Sequence, residues 1–256
     1  MRAIAIMNNK GGVGKTVTAI NLADILVRYH GKHVVLVDCD GQANLTRFCL
    51  PRLDPEGGQY LTTADVLTGE SEPVWSDNLT PVREGLDILP SSSGLYDLDM
   101  EAIKDGVSAP ERMAHFAQAA REDGDVDYLI YDCPPGYTVA SVAALLSADE
   151  IVIPVTADAF SIDGAAAVLR QVRTIQRTRP GMTATALMTQ TRRADVVSEG
   201  ERLLRGMGVA VYRTAIRRTD KVPESTISLS PLAEYSANSA ATRDYRAWVR
   251  ELLGEV

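Results

Sequence analysis

Short apolar runs alternate with longer segments that repeat apolar residues at helical spacing along most of the chain. The runs predict strands at residues 3–7, 34–38, 86–90, 128–132, 151–155, 185–189 and 209–212. The longer segments predict helices at residues 16–29, 109–121, 138–147, 161–178, 195–206 and 238–253. Most of the strand runs are unbroken by polar residues, which is typical of strands covered on both faces.

The alternation of strand and helix predicts an α/β fold, with a doubly wound, mostly parallel sheet and helices on both faces. The 256 residues fit a single domain spanning 1–256. Residues 51–90 are less regular, and before the strand at 86–90 we expect surface loops with a short helix near 64–67. Because ligands of such sheets bind at the carboxyl ends of strands, polar residues that follow the first strands should share one site.

A glycine-rich loop with two lysines, residues 10–16, joins the first predicted strand to the first predicted helix. Glycines allow backbone N–H groups to turn toward an anion, and the helix N-terminus adds further donors and positive charge. This context predicts a phosphate-binding loop, with Lys15 on the β- and γ-phosphates and the Thr16 hydroxyl on Mg²⁺. Two positions depart from the general motif, since Asn9 replaces its first glycine and Lys10 is an additional lysine. A lysine at that place could reach the nucleotide of a facing subunit, as an arginine finger does in trans.

Two carboxylates follow the second predicted strand. Asp38 is placed to hold a Mg²⁺-bound water, and Asp40 to orient the attacking water beyond the γ-phosphate. Either residue could instead cap the turn or helix that follows, and the spacing alone leaves both interpretations open.

A third acidic segment follows the strand at 128–132. Asp132 is expected to bind Mg²⁺ through water, and the turn through Pro134, Pro135 and Gly136 to bring a backbone N–H to the γ-phosphate. Cys133 lacks the spacing of an iron–sulfur ligand, so a small buried residue is the preferred interpretation.

The composition agrees with a globular enzyme and bears on nucleic-acid binding and on cellular location. The formal net charge is −8, which argues against a uniformly basic nucleic-acid binder but allows a local basic patch. The three cysteines form no CxxC pair, which favours reduced thiols and a cytosolic location. Because Met1 leads almost directly into the first strand, we expect no secretory signal.

The glycine-rich loop at 10–16 and the acidic segments at 38–46 and 132–136 together resemble the deviant Walker A ATPases, also called the ParA/MinD family. Within the second segment, Gln42-Ala43-Asn44 is most similar to the ParA (Soj-like) partition ATPases. The resemblance implies an ATP-dependent sandwich dimer in which Lys10 crosses to the partner's phosphates. It also implies that Lys15 serves its own nucleotide, that Asp40 is needed for hydrolysis, and that Thr16, Asp38 and Asp132 support Mg²⁺. The nucleotide-contacting residues would be Lys10, Gly11, Gly12, Val13, Gly14, Lys15, Thr16, Val17, Asp132 and Gly136. Residue 41 departs from the pattern, since it is Gly where partition ATPases usually have Pro.

The resemblance further implies nonspecific DNA binding by the dimer and a ParB-like partner that stimulates slow hydrolysis. It places the protein in the cytoplasm at the nucleoid. Basic residues of the C-terminal half are the DNA-binding candidates, and a solvated face is the alternative. The candidates are Arg192, Arg193, Arg217, Arg218 and Lys221. For the base, the resemblance points to the loop after 188–190 and to 216–223.

The last predicted helix is basic and amphipathic, with apolar residues at 245, 248, 249 and 252. Such a helix can lie on a membrane, as in MinD-type relatives, or dock on the core, which we prefer because a stripe at helical spacing is typical of core. Two other functions remain as alternatives to partition. One is a MinD-like membrane-surface ATPase, and the other is a metabolic ligase of the dethiobiotin-synthetase type.

Overall fold

The computed structural model describes residues 1–54, 60–70, 74–105 and 110–255. Its strands are β1 (Arg2–Ile6), β2 (Val34–Asp38), β3 (Thr80–Arg83), β4 (Leu86–Leu89), β5 (Tyr128–Asp132), β6 (Glu150–Val155), β7 (Thr183–Met188) and β8 (Ala210–Val211). Its helices are α1 (Lys15–His30), α2 (Asn44–Cys49), α3 (Thr63–Thr68), α4 (Gly94–Asp105), α5 (Glu111–Asp123), α6 (Val139–Ser147), α7 (Ala159–Ile175), α8 (Ala194–Gly206), α9 (Lys221–Ile227), α10 (Leu232–Tyr235) and α11 (Ala240–Leu252).

The described strands form one twisted sheet in the order β3-β4-β2-β5-β1-β6-β7-β8. Only the β3–β4 pair is antiparallel among them, and every other neighbouring pair is parallel. The carboxyl ends of β1, β2 and β5 therefore lie side by side, so the segments that follow these three strands meet at one edge of the sheet.

Helices cover both faces of this sheet, as the apolar runs predict. Alternate residues of β1 show the division, since Ala3 and Ala5 pack beneath α3 to α8 while Ile4 and Ile6 pack beneath α1, α10 and α11. Both sets are fully buried. The predicted doubly wound α/β fold is confirmed.

Most predicted elements are observed within a few residues of their expected ends, and the short helix expected near 64–67 is α3. The stretch 51–90 also contains a strand that was predicted as loop. Residues 80–83 form the antiparallel edge strand β3, whose pattern of half-buried and exposed residues includes Pro81 and gives no continuous apolar run. The helices α2, α4, α9 and α10 were also not predicted, and the predicted helix start at residue 109 lies outside the described residues.

The C-terminal helix α11 docks on the core. Tyr245, Trp248, Val249 and Leu252 are each less than a tenth exposed and pack with residues of α1 and β1. The docking interpretation of this helix is therefore confirmed. In the part of the chain that the structure describes, no helix has both the length and the hydropathy of a membrane span.

Candidate nucleotide site

The glycine-rich loop turns sharply from β1 into α1. Gly12 and Gly14 adopt φ of +77° and +90°, a left-handed conformation that residues with a β-carbon rarely adopt. Gly14 occupies the N-cap position of α1, and no side chain caps that end of the helix. The first N–H groups of α1 are therefore left for a ligand, which is the arrangement that binds phosphate.

The start of this loop is fixed by a buried amide that the sequence analysis did not identify. Asn8 Nδ2 donates to the carbonyl oxygen of Pro154 over 2.8 Å, and Asn8 Oδ1 accepts from Lys10 N over 2.9 Å. Gly164 of α7 leaves room for this contact, because a β-carbon there would lie 2.3 Å from Asn8 Oδ1. Asn8 lies two residues after β1, but its partners lie on β6 and α7, so no local sequence signal indicates its role.

The far side of the loop is held by the segment after β7. Thr189 Oγ1 donates to the carbonyl oxygen of Val13 over 2.8 Å, and Gln190 Nε2 donates to that of Gly12 over 2.6 Å. Gln190 has a φ of +53°, so its backbone is in the left-handed region. These contacts turn loop carbonyl groups away from the cleft and leave the N–H groups for an anion.

The two lysines of the loop lie in different surroundings. Lys15 lines the cleft, is 8% exposed, and donates from Nζ to the carbonyl oxygen of Lys10 over 3.2 Å. Burial lowers the pKa of the Lys15 ammonium, and the attraction of Asp132 partly opposes that shift. Lys10 is exposed and is not among the residues that line the cleft. Its Nζ lies 5.9 Å from the ring centroid of Phe160, whose side chain is 75% exposed on α7.

Asp38 ends β2 and is fully buried. Its Oδ2 accepts from Thr46 N over 2.9 Å and from Thr46 Oγ1 over 2.7 Å, and its Oδ1 accepts from Asp40 N over 3.1 Å. Burial raises the pKa of Asp38 to about 6, although these hydrogen bonds act in the opposite direction. Both carboxylate oxygens are thus engaged by the chain itself.

Asp132 ends β5 and is 2% exposed. Its Oδ1 atom is buried and has no hydrogen-bond partner among the described residues. Burial raises the pKa of Asp132 well above its ordinary value, the charge of Asp38 adds to this, and a hydrogen bond from the Thr16 side chain opposes it. A buried oxygen without a donor, beside a threonine hydroxyl, fits the water shell or the coordination sphere of Mg²⁺.

Asp40 is half-buried, lines the cleft, and accepts at Oδ1 from Gln42 N over 2.9 Å. It therefore organises the turn after β2, as the alternative interpretation expects. Its role in orienting the attacking water stays a prediction. In the third segment, Cys133 and Pro135 line the cleft. Cys133 is 1% exposed, in agreement with its interpretation as a small buried residue. Gly136 has a φ of +99° and does not line the cleft.

The cleft has a volume of about 570 Å³, within the usual range of small-molecule sites. Its wall opposite the loop comes from Gln190 and from residues of 216–223, the two segments expected near the base. Tyr245 of α11 also lines the cleft, and its OH lies 3.1 Å from Thr18 Oγ1. One cavity thus joins the phosphate-binding loop, Asp40 and the expected base region.

The predicted DNA-binding residues lie on two neighbouring loops and at the start of α9, but most of them already have an acidic partner. Thr191 and Arg217 form a parallel bridge, which brings the loop at 190–193 beside the loop at 216–218. Three of the five are bound to acids, in the pairs Arg217–Asp244, Lys221–Glu224 and Arg193–Asp195, each at 2.6 Å. Arg192 and Arg218 are exposed and have no acidic partner within the described ranges. Arg217 and Arg218 also line the nucleotide cleft.

Comparison with known proteins identifies the family. The family model described as an AAA domain matches residues 1–184. The chromosome partitioning protein ParA of Caulobacter vibrioides is 31% identical to this chain over 261 residues, which cover 99% of the chain and 94% of that protein. The chain belongs to the ParA family. The resemblance drawn from residues 10–16, 38–46 and 132–136 is therefore confirmed.

Solved structures agree with the ParA-family fold. Apo McdA of Cyanothece superposes with a TM-score of 0.82 at 20% identity, over 99% of this chain and 100% of that one. MinD of Pyrococcus horikoshii, solved with Mg-ADP, gives a TM-score of 0.76 at 22% identity, over 98% of this chain and 95% of that one. At these identities the likeness concerns the fold alone.

Proposed function

We propose that this chain is a ParA-type partition ATPase of one domain. It binds ATP and Mg²⁺ in the cleft, closes into a sandwich dimer, and binds DNA without sequence preference as that dimer. A ParB-like partner stimulates slow hydrolysis, and ADP then releases the dimer from DNA. Family membership supports the ATPase activity, and the name of the Caulobacter relative supports the role in partition.

One observation carries the dimer proposal, namely the different orientation of two lysines within one loop. Lys15 is enclosed by its own cleft, whereas Lys10 stands outside that cleft beside the exposed ring of Phe160. A lysine held near a phosphate site but outside it is placed to meet the phosphates of a second subunit. Hydrolysis then acts as a timer for the dimer rather than as a route to a product.

Within the cleft, the backbone N–H groups of the loop and the Lys15 ammonium bind the phosphates. Thr16 and Asp132 would hold Mg²⁺, and the unpartnered Asp132 Oδ1 supports that assignment. When bound, Mg²⁺ neutralises charge on the phosphates. Asp40 orients the attacking water from beyond the γ-phosphate, and Gly136 belongs to the segment that senses that phosphate.

Asp38 has a supporting role in this proposal. Its hydrogen bonds to Thr46 and to Asp40 N hold the segment that presents Asp40 to the cleft. The prediction that Asp38 also holds a Mg²⁺-bound water remains a prediction.

The DNA surface is proposed on the loops at 190–193 and 216–221. Arg192 and Arg218 provide charge that no acid of the described chain neutralises, and Arg193, Arg217 and Lys221 would exchange their acidic partners for phosphates. Such contacts release counterions, so binding should weaken steeply with salt. The burial of the apolar face of α11 favours this surface over membrane attachment through the C-terminal helix.

The test compares wild type with Asp40→Ala and Lys15→Ala in sedimentation with plasmid DNA and, separately, with liposomes, at two salt concentrations. Asp40→Ala should bind ATP, remain dimeric and cosediment with DNA at low salt, because hydrolysis no longer ends the bound state. Lys15→Ala should lose at least about tenfold in ATP affinity and should stay monomeric in light scattering.

Three results would contradict the proposal. ATP-loaded Asp40→Ala that scatters as a strict monomer would remove the dimer switch. ATP-dependent sedimentation with liposomes but not with DNA would favour the MinD-like function. Fast turnover without DNA or a protein partner would favour a metabolic ligase.

A further inference from the structure

The turn that contains Asp40 is covered by an aromatic side chain from another element. Tyr96 lies in the first turn of α4, and its ring rests on Gly41, the residue after Asp40. A β-carbon on Gly41 would lie 2.8 Å from Tyr96 Cζ and 2.9 Å from Cε2. Nonbonded carbon atoms pack at about 3.5 Å or more, so the ring occupies the space that a side chain at position 41 would need.

Hydrogen bonds continue this contact to the carboxylate of Asp40. Gln42 Nε2 donates to the hydroxyl of Tyr96, and Gln42 N donates to Asp40 Oδ1 over 2.9 Å. The carbonyl oxygen of Asp40 accepts from Ser91 Oγ over 2.8 Å. The backbone of Asp40 is thus fixed from the end of β4, while the residues that follow it are held by Tyr96.

The helix that presents Tyr96 is anchored independently of this turn. Asp99, one helical turn later, accepts at Oδ1 from Val139 N over 2.7 Å. Val139 is the first residue of α6, which follows the segment after Asp132. The helix α4 therefore contacts both the turn after Asp40 and the start of α6.

We propose that Tyr96 is a positioning residue for ATP hydrolysis, which it supports by holding the turn at 40–42 in the orientation that Asp40 needs. The inference rests on the proposed role of Asp40. Glycine leaves the backbone after Asp40 with the greatest conformational freedom of any residue. The ring on Gly41 and the hydrogen bond from Gln42 remove that freedom, and Tyr96 itself does not line the cleft.

The experiment measures single-turnover hydrolysis and the affinity for a fluorescent ATP analogue in Tyr96→Ala, Tyr96→Phe and Gly41→Ala. Tyr96→Ala should slow hydrolysis about tenfold and change affinity less than about twofold, because a misplaced catalytic group affects the chemical step. Tyr96→Phe keeps the ring and should have a smaller effect. Gly41→Ala displaces the ring, so combining it with Tyr96→Ala should be no worse than Tyr96→Ala alone.

Met100→Ala is the matched control, since Met100 lies on the same helix and is 52% exposed. It should hydrolyse ATP at the wild-type rate. Wild-type hydrolysis by Tyr96→Ala, with activity lost in Asp40→Ala, would overturn the positioning role and leave the proposed function intact. Normal hydrolysis by Asp40→Ala would overturn both. Additive losses in the double variant would also contradict the proposal, and thermal unfolding of each variant shows whether it is folded.

Discussion

The ends of β2 and β5 place two identical carboxylates side by side in different surroundings. Asp38 and Asp132 are register partners in adjacent parallel strands, and both are buried. Asp38 accepts three hydrogen bonds from Thr46 and Asp40, whereas Asp132 Oδ1 accepts none from the described chain. The number of available donors, and not depth or residue type, distinguishes the two positions.

The sequence after each strand explains this difference. Two residues after Asp38, the backbone N–H of Asp40 turns back and donates to Oδ1. Two residues after Asp132 the chain has Pro134, which has no N–H to donate. Thr46 then completes the shell of Asp38 from α2. A carboxylate whose oxygens accept hydrogen bonds from its own chain is held in place, and one with an oxygen left without a donor is available to a ligand.

The largest effect expected from this comparison is on Mg²⁺-dependent turnover in Asp132→Asn. Loss of the carboxylate charge should lower the ATPase rate at fixed Mg²⁺ by about 100-fold, as for other groups that orient a metal's ligands. The free energy of unfolding without nucleotide should not fall, since a buried carboxylate with one oxygen left without a donor does not favour the folded state. Phosphate release across a Mg²⁺ titration, together with urea unfolding, measures both quantities.

The same substitution at Asp38, the register partner of Asp132, should instead lower stability more than it changes the dependence of the ATPase on Mg²⁺. Asp38→Asn places an amide donor where three donors converge, so at least one hydrogen bond is lost. The free energy of unfolding should fall by about 2 kcal/mol, as measured by urea unfolding. Its Mg²⁺ titration should keep the wild-type midpoint if Asp38 only supports the turn, whereas a raised midpoint would show that Asp38 also holds a Mg²⁺-bound water. A stability loss in Asp132→Asn equal to that in Asp38→Asn would show that both carboxylates are structural and would remove the distinction.

The strands that carry these carboxylates could be predicted from the sequence, because buried parallel strands are unbroken apolar runs. The edge strand β3 could not, since it is half exposed and contains Pro81. The order of strand, glycine-rich loop and helix predicts the phosphate-binding loop with Lys15, and an acid at the end of an apolar run predicts Asp132. The contacts of Asn8, Thr189 and Tyr96 join residues distant in sequence. They depend on how the elements pack, so no local pattern indicates them.

The smallest expected effect tests directly whether Asp132 lacks a donor because Pro134 has no N–H. Pro134→Ala restores an N–H two residues after Asp132, at the place from which Asp40 N donates to Asp38. If that group donates to Asp132, the carboxylate becomes a weaker partner for Mg²⁺. The Mg²⁺ concentration for half-maximal ATPase should then rise about fivefold, which corresponds to one hydrogen bond of about 1 kcal/mol. Pro135→Ala is the matched control, because its restored N–H lies one residue further on and has no counterpart at Asp38. Equal shifts in both variants would show that loss of the rigid turn, and not a new donor, weakens Mg²⁺ binding. The difference between Asp38 and Asp132 would then need another cause.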